Sequence, residues 1–340
     1  MAGLPLSRYN GIRSKEGSIR MRYYEFDLNE AGTSRLYCKI VERPLSANVD
    51  PSPAFLWIPG GGFAGCAPED GEAVIMTLCG HGYCGFTVTY PVGPSYRFPE
   101  VLVQISKAIC FIRANAEEWN VDPNRIVIGG GSAGGFISGA YGAFWNHPEM
   151  QKLTGCSSGK NRPNALLTQN GLFNAYQQTE RGTVEVPVYD YIGRDMPPTF
   201  LLHASDDTLV SVDQTLAMAW NLSRAKVPFS VYIADSGNHT GLQYHRHTVM
   251  PNGRLSHKVD DWMPAFLLFL DNVLGVPAEY EKFSLPEPGQ VGQDGEGLPP
   301  LPDMKEMPKM PDMHIGDFEG GMVWGFSEEE AAKLDWPKNI

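Results

Sequence analysis

Nowhere does this 340-residue chain hold the ~18 unbroken apolar residues that a membrane-spanning helix needs. Its first stretch, MAGLPLSRYNGIRSKEG, also lacks the apolar core of roughly 7 to 15 residues that marks a secretory signal. The expectation is a soluble, cytoplasmic protein with no membrane partner. Positive charge is scarce: 27 Lys and Arg stand against 39 Asp and Glu, a net charge of -12. Nucleic acid and anionic membrane surfaces would repel such a chain. The six cysteines, Cys38, Cys66, Cys79, Cys84, Cys110 and Cys156, have no spacing that suggests a disulfide framework. Several lie in apolar runs, where a thiol behaves as a small hydrophobe. Cys79, His81 and Cys84 have metal-ligand chemistry, but no second cluster accompanies them, so no metal is expected. No internal repeat is visible.

What is present is globular in composition, 42% hydrophobic and 19% charged. Two stretches, IRMRYYEFDL (19–28) and RLYCKIVER (35–43), alternate apolar and polar residues, the pattern of an antiparallel sheet with one solvated face. Six continuous apolar runs follow: AFLWI (54–58), GFTVTY (85–90), RIVIGG (125–130), ALLTQ (165–169), TFLLHA (199–204) and FSVYIA (229–234). Such runs suit strands covered on both faces. Helical spacing fills the intervals at 69–79, 100–119, 133–145, 211–226 and 258–273. In the second of these, Val101, Ile105, Ala108, Ile109 and Ile112 recur at three- and four-residue steps and form one face. Alternation of strand and helix predicts an α/β fold, a mostly parallel central sheet with helices on both faces. Residues 1–283 form its expected domain, and the interrupted stretch at about 146–198 leaves room for only a small cap.

From Ser284 the composition changes. Residues 284–340 hold eight of the 27 prolines, five of the 13 methionines, and twelve acidic against four basic residues. Met304, Met307, Met310 and Met313 recur every third residue among prolines, a period that suits a polyproline II ribbon with one apolar face. Four aromatics, Phe318, Trp324, Phe326 and Trp336, are unusual for a free acidic tail. The expectation is an extended strap that packs on the body or supports a homodimer, with a flexible acidic tail as the alternative.

Chemistry concentrates in VIGGGSAGGFISGA (127–140). A buried strand runs into Gly130, Gly131, Ser132, Ala133 and Gly134 with a helix behind, which meets both the G-x-S-x-G pattern and its strand–turn–helix context. The glycines admit a tight, strained turn that lifts the serine out at the sheet's C-terminal edge, beside a helix N-terminus. No lysine follows, as a nucleotide-binding loop would require. A serine hydroxyl is a weak nucleophile until a base takes its proton, so a histidine and an orienting carboxylate must come from later strand ends. SDDTLV (205–210) follows one buried strand and DSGNHTG (235–241) follows the next. His239 is the candidate base; both Asp206 and Asp207 stand where the carboxylate is needed. The other aspartate would cap the helix that begins near Ser211 or face solvent. His81, His147, His203, His245, His247 and His257 lack comparable context and read as structural or surface residues.

GGSAGG around Ser132, the triplet Gly60–Gly62, SYRFPE (95–100), NVDPNRIVIGG (120–130), MPPTFLLHASDD (196–207) and GNHTG occur together and in this order. Together they resemble the α/β-hydrolase fold, and more narrowly the hormone-sensitive-lipase-like and feruloyl or acetylxylan esterase (BD-FAE-like) group of serine esterases. The resemblance covers about residues 20–273 and not the tail. It implies a serine carboxylesterase acting on small acetyl- or feruloyl-type esters, carbohydrate esters among them, through an acyl-enzyme and without a cofactor. It favours Asp207, three residues before Val210, as the third member of a triad with Ser132 and His239. It also implies an oxyanion hole from the amides of Gly61, Gly62 and Ala133. The group's usual histidine before the glycines is Pro59 here, which puts the loop's geometry in question. Phe63, Tyr96, Phe136 and Phe173 are candidates to line the substrate pocket. An amide or formamide hydrolase with the same triad is the alternative enzyme, and a catalytically silent binding module the alternative class.

Overall fold

A computed structural model describes residues 8–11, 20–42, 50–156, 159–179, 182–245 and 257–275. The extension at 284–340 and its expected strap or dimer role lie outside the described residues. Among the described residues nine strands form one sheet: β1 (Arg8–Gly11), β2 (Arg20–Asp27), β3 (Arg35–Glu42), β4 (Ser52–Ile58), β5 (Cys84–Val88), β6 (Val121–Gly131), β7 (Ala165–Gln169), β10 (Thr199–Ala204) and β11 (Phe229–Ala234). A separate hairpin pairs β8 (Asn174–Thr179) with β9 (Gly182–Pro187). The sheet order is β1-β2-β3-β5-β4-β6-β7-β10-β11. From β5 to β11 every pairing is parallel, while β1, β2 and β3 add on in antiparallel fashion, as the alternation in the β2 and β3 sequences predicts; β1 carries no such pattern.

Among the described residues six α-helices accompany the strands: α1 (Glu72–Gly80), α2 (Glu100–Ala114), α3 (Ala133–Phe144), α4 (Pro148–Thr154), α5 (Asp213–Ala225) and α6 (Val259–Leu274). Alternate side chains of each strand point to opposite layers. Phe55 of β4 meets Phe266 of α6, and Gly85 of β5 is bare because Ile75 of α1 fills the space of a side chain. Phe200 of β10 packs on Trp262, Phe266 and Phe269, so α1 and α6 cover one face. On the other face Leu166 of β7 packs against Gly142 of α3, and Phe86 of β5 meets Trp119 just beyond α2. The central strands β4, β5, β7 and β10 are almost wholly buried, which accounts for their unbroken apolar sequences.

Two local expectations change. Helix α2 stops at Ala114, not near 119, because Asn115 caps it: its N–H donates to Phe111 and Ile112 carbonyls and its Nδ2 to Phe111 O at 2.8 Å. The apolar run of β11 suggests cover on both faces, yet β11 is the sheet's edge strand, with Val231 and Ile233 exposed. The stretch expected to form a small cap contains α4 and the β8–β9 hairpin, elements whose sequences carry no strong period. The hairpin is tied down by Tyr96, whose O–H donates to Gln177 Oε1 at 2.5 Å, and by Phe98 N–H, which donates to Gln178 O at 2.6 Å. Among the described residues no helix is long and apolar enough to cross a membrane.

Candidate active site

Because β4, β6, β7, β10 and β11 run parallel, the loops after them emerge at one edge of the sheet. Ser132 follows β6 with φ 55° and ψ -120°, a conformation that costs a non-glycine residue of order 1–3 kcal/mol and is held only by its surroundings. Those surroundings are backbone: Ser132 N–H donates to Gln169 O at 2.9 Å, and Phe136 N–H donates to Ser132 O at 2.9 Å. Gly134 must be glycine, since a Cβ there would collide with the carbonyl of Ile58. A Cβ on Gly130 would lie 2.5 Å from the Gly134 carbonyl and 2.6 Å from Ile58 O.

His239 spans the other two candidates. Its Nε2 lies 2.7 Å from Ser132 Oγ and its Nδ1 2.8 Å from Asp207 Oδ2. With the ring proton on Nδ1, the imidazole donates to the carboxylate and accepts from the serine hydroxyl. The Asp207 side chain is fully out of solvent, and that of His239 is 11% exposed. Asp207 Oδ1 also accepts the N–H groups of Leu209 and Val210, at 2.8 and 3.0 Å. Its Oδ2 accepts from Asn170 Nδ2 at 2.6 Å. Burial alone would raise its pKa, but hydrogen bonds from His203, His239, Val210 N–H and Asn170 outweigh burial and hold the carboxyl well below the usual carboxylate range. Asp207 is therefore a fixed anion. Asp206 neither caps a helix nor merely faces solvent. Its Oδ1 accepts Asn238 N–H at 2.6 Å and so anchors the turn that carries His239.

The glycine loop after β4 lies against this serine. A Cβ on Gly60 would stand 2.9 Å from Gly131 O and 3.3 Å from Ser132 Cβ. Gly61 and Gly62 have φ of 116° and 58° and are exposed at the loop's tip. Gly65 packs under Gly61, with Gly65 N–H donating to Gly61 O at 3.0 Å. Ala133 is the first residue of α3, so its N–H is one of the unpaired amides of a helix start. Pro59 is buried, and its carbonyl accepts the Tyr90 hydroxyl at 2.7 Å. The next amide, Gly60 N–H, donates to Asp70 Oδ2 at 2.9 Å. Tyr90 and Asp70 thus hold a loop that proline alone would not orient.

Three of the four aromatic candidates form one cluster. The Phe63 ring lies 4.8 Å from Tyr96 and 5.7 Å from Phe136, centroid to centroid. Phe173 is fully buried elsewhere, against Gly139 and Gly171, as a core residue under α3.

Several site residues escape the sequence patterns. Asn170 directly follows β7, and that strand-end position is its only signal. His203 reads as structural or surface from sequence, yet it is fully buried with Nδ1 2.7 Å from Thr215 Oγ1, Nε2 3.0 Å from Val210 O and 3.4 Å from Asp207 Oδ2. Asp70 and Gln243 meet across 173 residues, Gln243 Nε2 donating to Asp70 Oδ1 at 2.8 Å. Nothing local in either sequence announces that pairing.

Residues 44–169 match the family model described as BD-FAE. Over 206 residues the chain is 27% identical to endo-1,4-beta-xylanase B of Butyrivibrio fibrisolvens, covering 54% of this chain and 32% of that protein. Over 209 residues it is 25% identical to esterase LipC of Mycobacterium tuberculosis, covering 53% of this chain and 51% of that one. The chain thus spans about half or less of the length of these relatives. The crystal structure of MGS-M1, an alpha/beta hydrolase enzyme from a Medee basin deep-sea metagenome library, superposes with a TM-score of 0.61 at 25% identity. That match covers 75% of this chain and 99% of the other. The fold is that of the α/β-hydrolases, and the likeness to the BD-FAE-like esterase group, first drawn from the motifs, holds over the segment that carries Ser132.

Proposed function

From the premise of an α/β-hydrolase fold with BD-FAE-like sequence, we propose that this protein is a serine carboxylesterase for small acyl esters. The observation that carries the reading is the unbroken chain Ser132 Oγ, His239, Asp207, with links of 2.7 and 2.8 Å, beside a glycine loop. Ser132 attacks the ester carbonyl as His239 Nε2 takes its proton, and Asp207 stabilises the imidazolium. The amides of Gly61, Gly62 and Ala133 receive the negative oxygen of the tetrahedral intermediate; one such donor is worth ~3 kcal/mol of barrier. The imidazolium then protonates the departing alcohol. In the second half, His239 deprotonates water, which attacks the acyl-serine, and the carboxylic acid leaves with Ser132 restored.

The likeness to a protein named as a xylanase and to one named as an esterase supports acylated carbohydrate as the substrate class. Of the aromatic cluster beside the glycine loop only Phe63 is part-exposed and free to meet an acetyl or aryl acyl group; Tyr96 and Phe136 are buried behind it and support its ring instead of lining the pocket as the sequence suggests. Steady-state hydrolysis of p-nitrophenyl acetate by the native protein and by Ser132→Ala tests the mechanism. The native protein should turn over, with a loss of at least ~10³-fold in kcat on substitution. Equal rates would refute the assignment.

A further inference from the structure

The geometry points to a disulfide site at Cys110 and Cys156, which share no contact with Ser132, His239 or Asp207. Spacing in the sequence offers no reason to pair them, since 46 residues separate the two. The fold brings their sulfurs to 2.6 Å, so a bond of ~2.0 Å requires only a small shift. Cys110 lies in the last turns of α2, and Cys156 follows Gly155, which ends α4 in a left-handed conformation.

Neighbouring contacts hold the two segments together whether or not the bond exists. Arg113, one turn beyond Cys110, donates to the carbonyls of Lys160, Arg162 and Pro123. Tyr141 O–H donates to Asn161 O at 2.8 Å, and Asn161 Nδ2 to Trp145 O at 3.0 Å. The thiols therefore meet in a preorganised setting, which limits the strain that a cross-link introduces.

A bond here closes a loop that contains all of β6, Ser132 and α3, the part of the chain that builds the strained serine turn. Its formation removes two protons and two electrons from the pair. Hydrogen peroxide accepts them and leaves as two waters; an oxidised small-molecule disulfide accepts them and leaves as two thiols. Burial, with the adjoining Cys156 sulfur, pushes the Cys110 thiol up to about 12. Thiolate is the reacting form, so bond formation should be faster at pH 9 than at pH 7.

The test treats full-length protein with hydrogen peroxide or with dithiothreitol, alkylates remaining thiols, and maps peptides by mass spectrometry without reduction. Expected in the oxidised sample is a Cys110–Cys156 peptide pair lighter by two hydrogens than its separate parts, and a thiol count lower by two per chain. The oxidised form should melt roughly 5 °C or more above the reduced form. Cys110→Ser and Cys156→Ser should each abolish the linked pair and that difference, and should keep the ester hydrolysis of the reduced native protein. Because Cys156 lies in an irregular segment, its variant gives a reading even if the α2 substitution fails to fold. Recovery of both residues fully alkylated after oxidation, or linkage of either to another cysteine, overturns the assignment.

Discussion

The carboxylate of Asp70 accepts the main-chain N–H of Gly60 at 2.9 Å, joining the segment before α1 to the glycine loop beside Ser132. The same side chain accepts Trp57 Nε1 at 3.2 Å and Gln243 Nε2 at 2.8 Å. One carboxylate therefore braces the end of β4, the glycine loop and the segment after His239.

Replacing Asp70 by Ala leaves the buried Trp57 N–H, the Gly60 N–H and the Gln243 amide without this acceptor, a cost of about 1–3 kcal/mol for each group left unsatisfied. The loop amides should lose their fixed aim at the oxyanion, so kcat should fall ~10-fold or more with KM little changed. Thermal melting and steady-state kinetics check both halves. An unchanged kcat in a destabilised protein would reduce Asp70 to a structural role.

Gly61 and Gly62 should respond differently to Ala. At Gly61 a Cβ would stand 2.5 Å from Gly65 O at a φ of 116°, so the loop must rearrange and activity should fall ~100-fold. At Gly62 nothing lies within 4 Å and φ is 58°, so Ala should cost about 1 kcal/mol of local strain and keep activity within several-fold. Comparable losses at both positions would contradict the assigned loop geometry.

Asn170→Ala removes the donor 2.6 Å from Asp207 Oδ2 and leaves His239 to hold that oxygen with the more distant His203. The expected result is a ~10-fold drop in kcat on p-nitrophenyl acetate, with the fold intact by circular dichroism. A rise in KM alone would point to a substrate contact instead.

Acid should destabilise the protein through Asp207. Its folded pKa is depressed, so the stabilisation is fully present above the unfolded value of about 3.9 and is lost as pH falls below that value toward the folded one. Urea unfolding at pH 6, 4 and 3 should show this decline, and Asp207→Asn should flatten it. An equal decline in the variant would assign acid sensitivity to other carboxylates.

The main sheet was legible because β4, β5, β7 and β10 are buried on both faces and therefore carry unbroken apolar runs. Ser132, His239 and Asp207 were legible because each lies in the loop after a strand that can be recognised, and the resemblance to known esterases chose between Asp206 and Asp207. Asp70, Gln243 and His203 were not, since their roles come from contacts across the fold and none sits in a local pattern. The β8–β9 hairpin escaped notice for another reason: its burial alternates along short polar strands such as NAYQQT, too brief for a clear period. Cys110 and Cys156 show the same limit, because proximity in space leaves no trace in their spacing.

The central claim, that Ser132 is the nucleophile of the Ser132–His239–Asp207 chain, is tested most directly with a fluorophosphonate probe followed by peptide mapping. One probe per chain should attach to Ser132, with loss of hydrolysis in step with labelling and no labelling of Ser132→Ala. An unmodified Ser132 in a protein that still hydrolyses esters would contradict that claim.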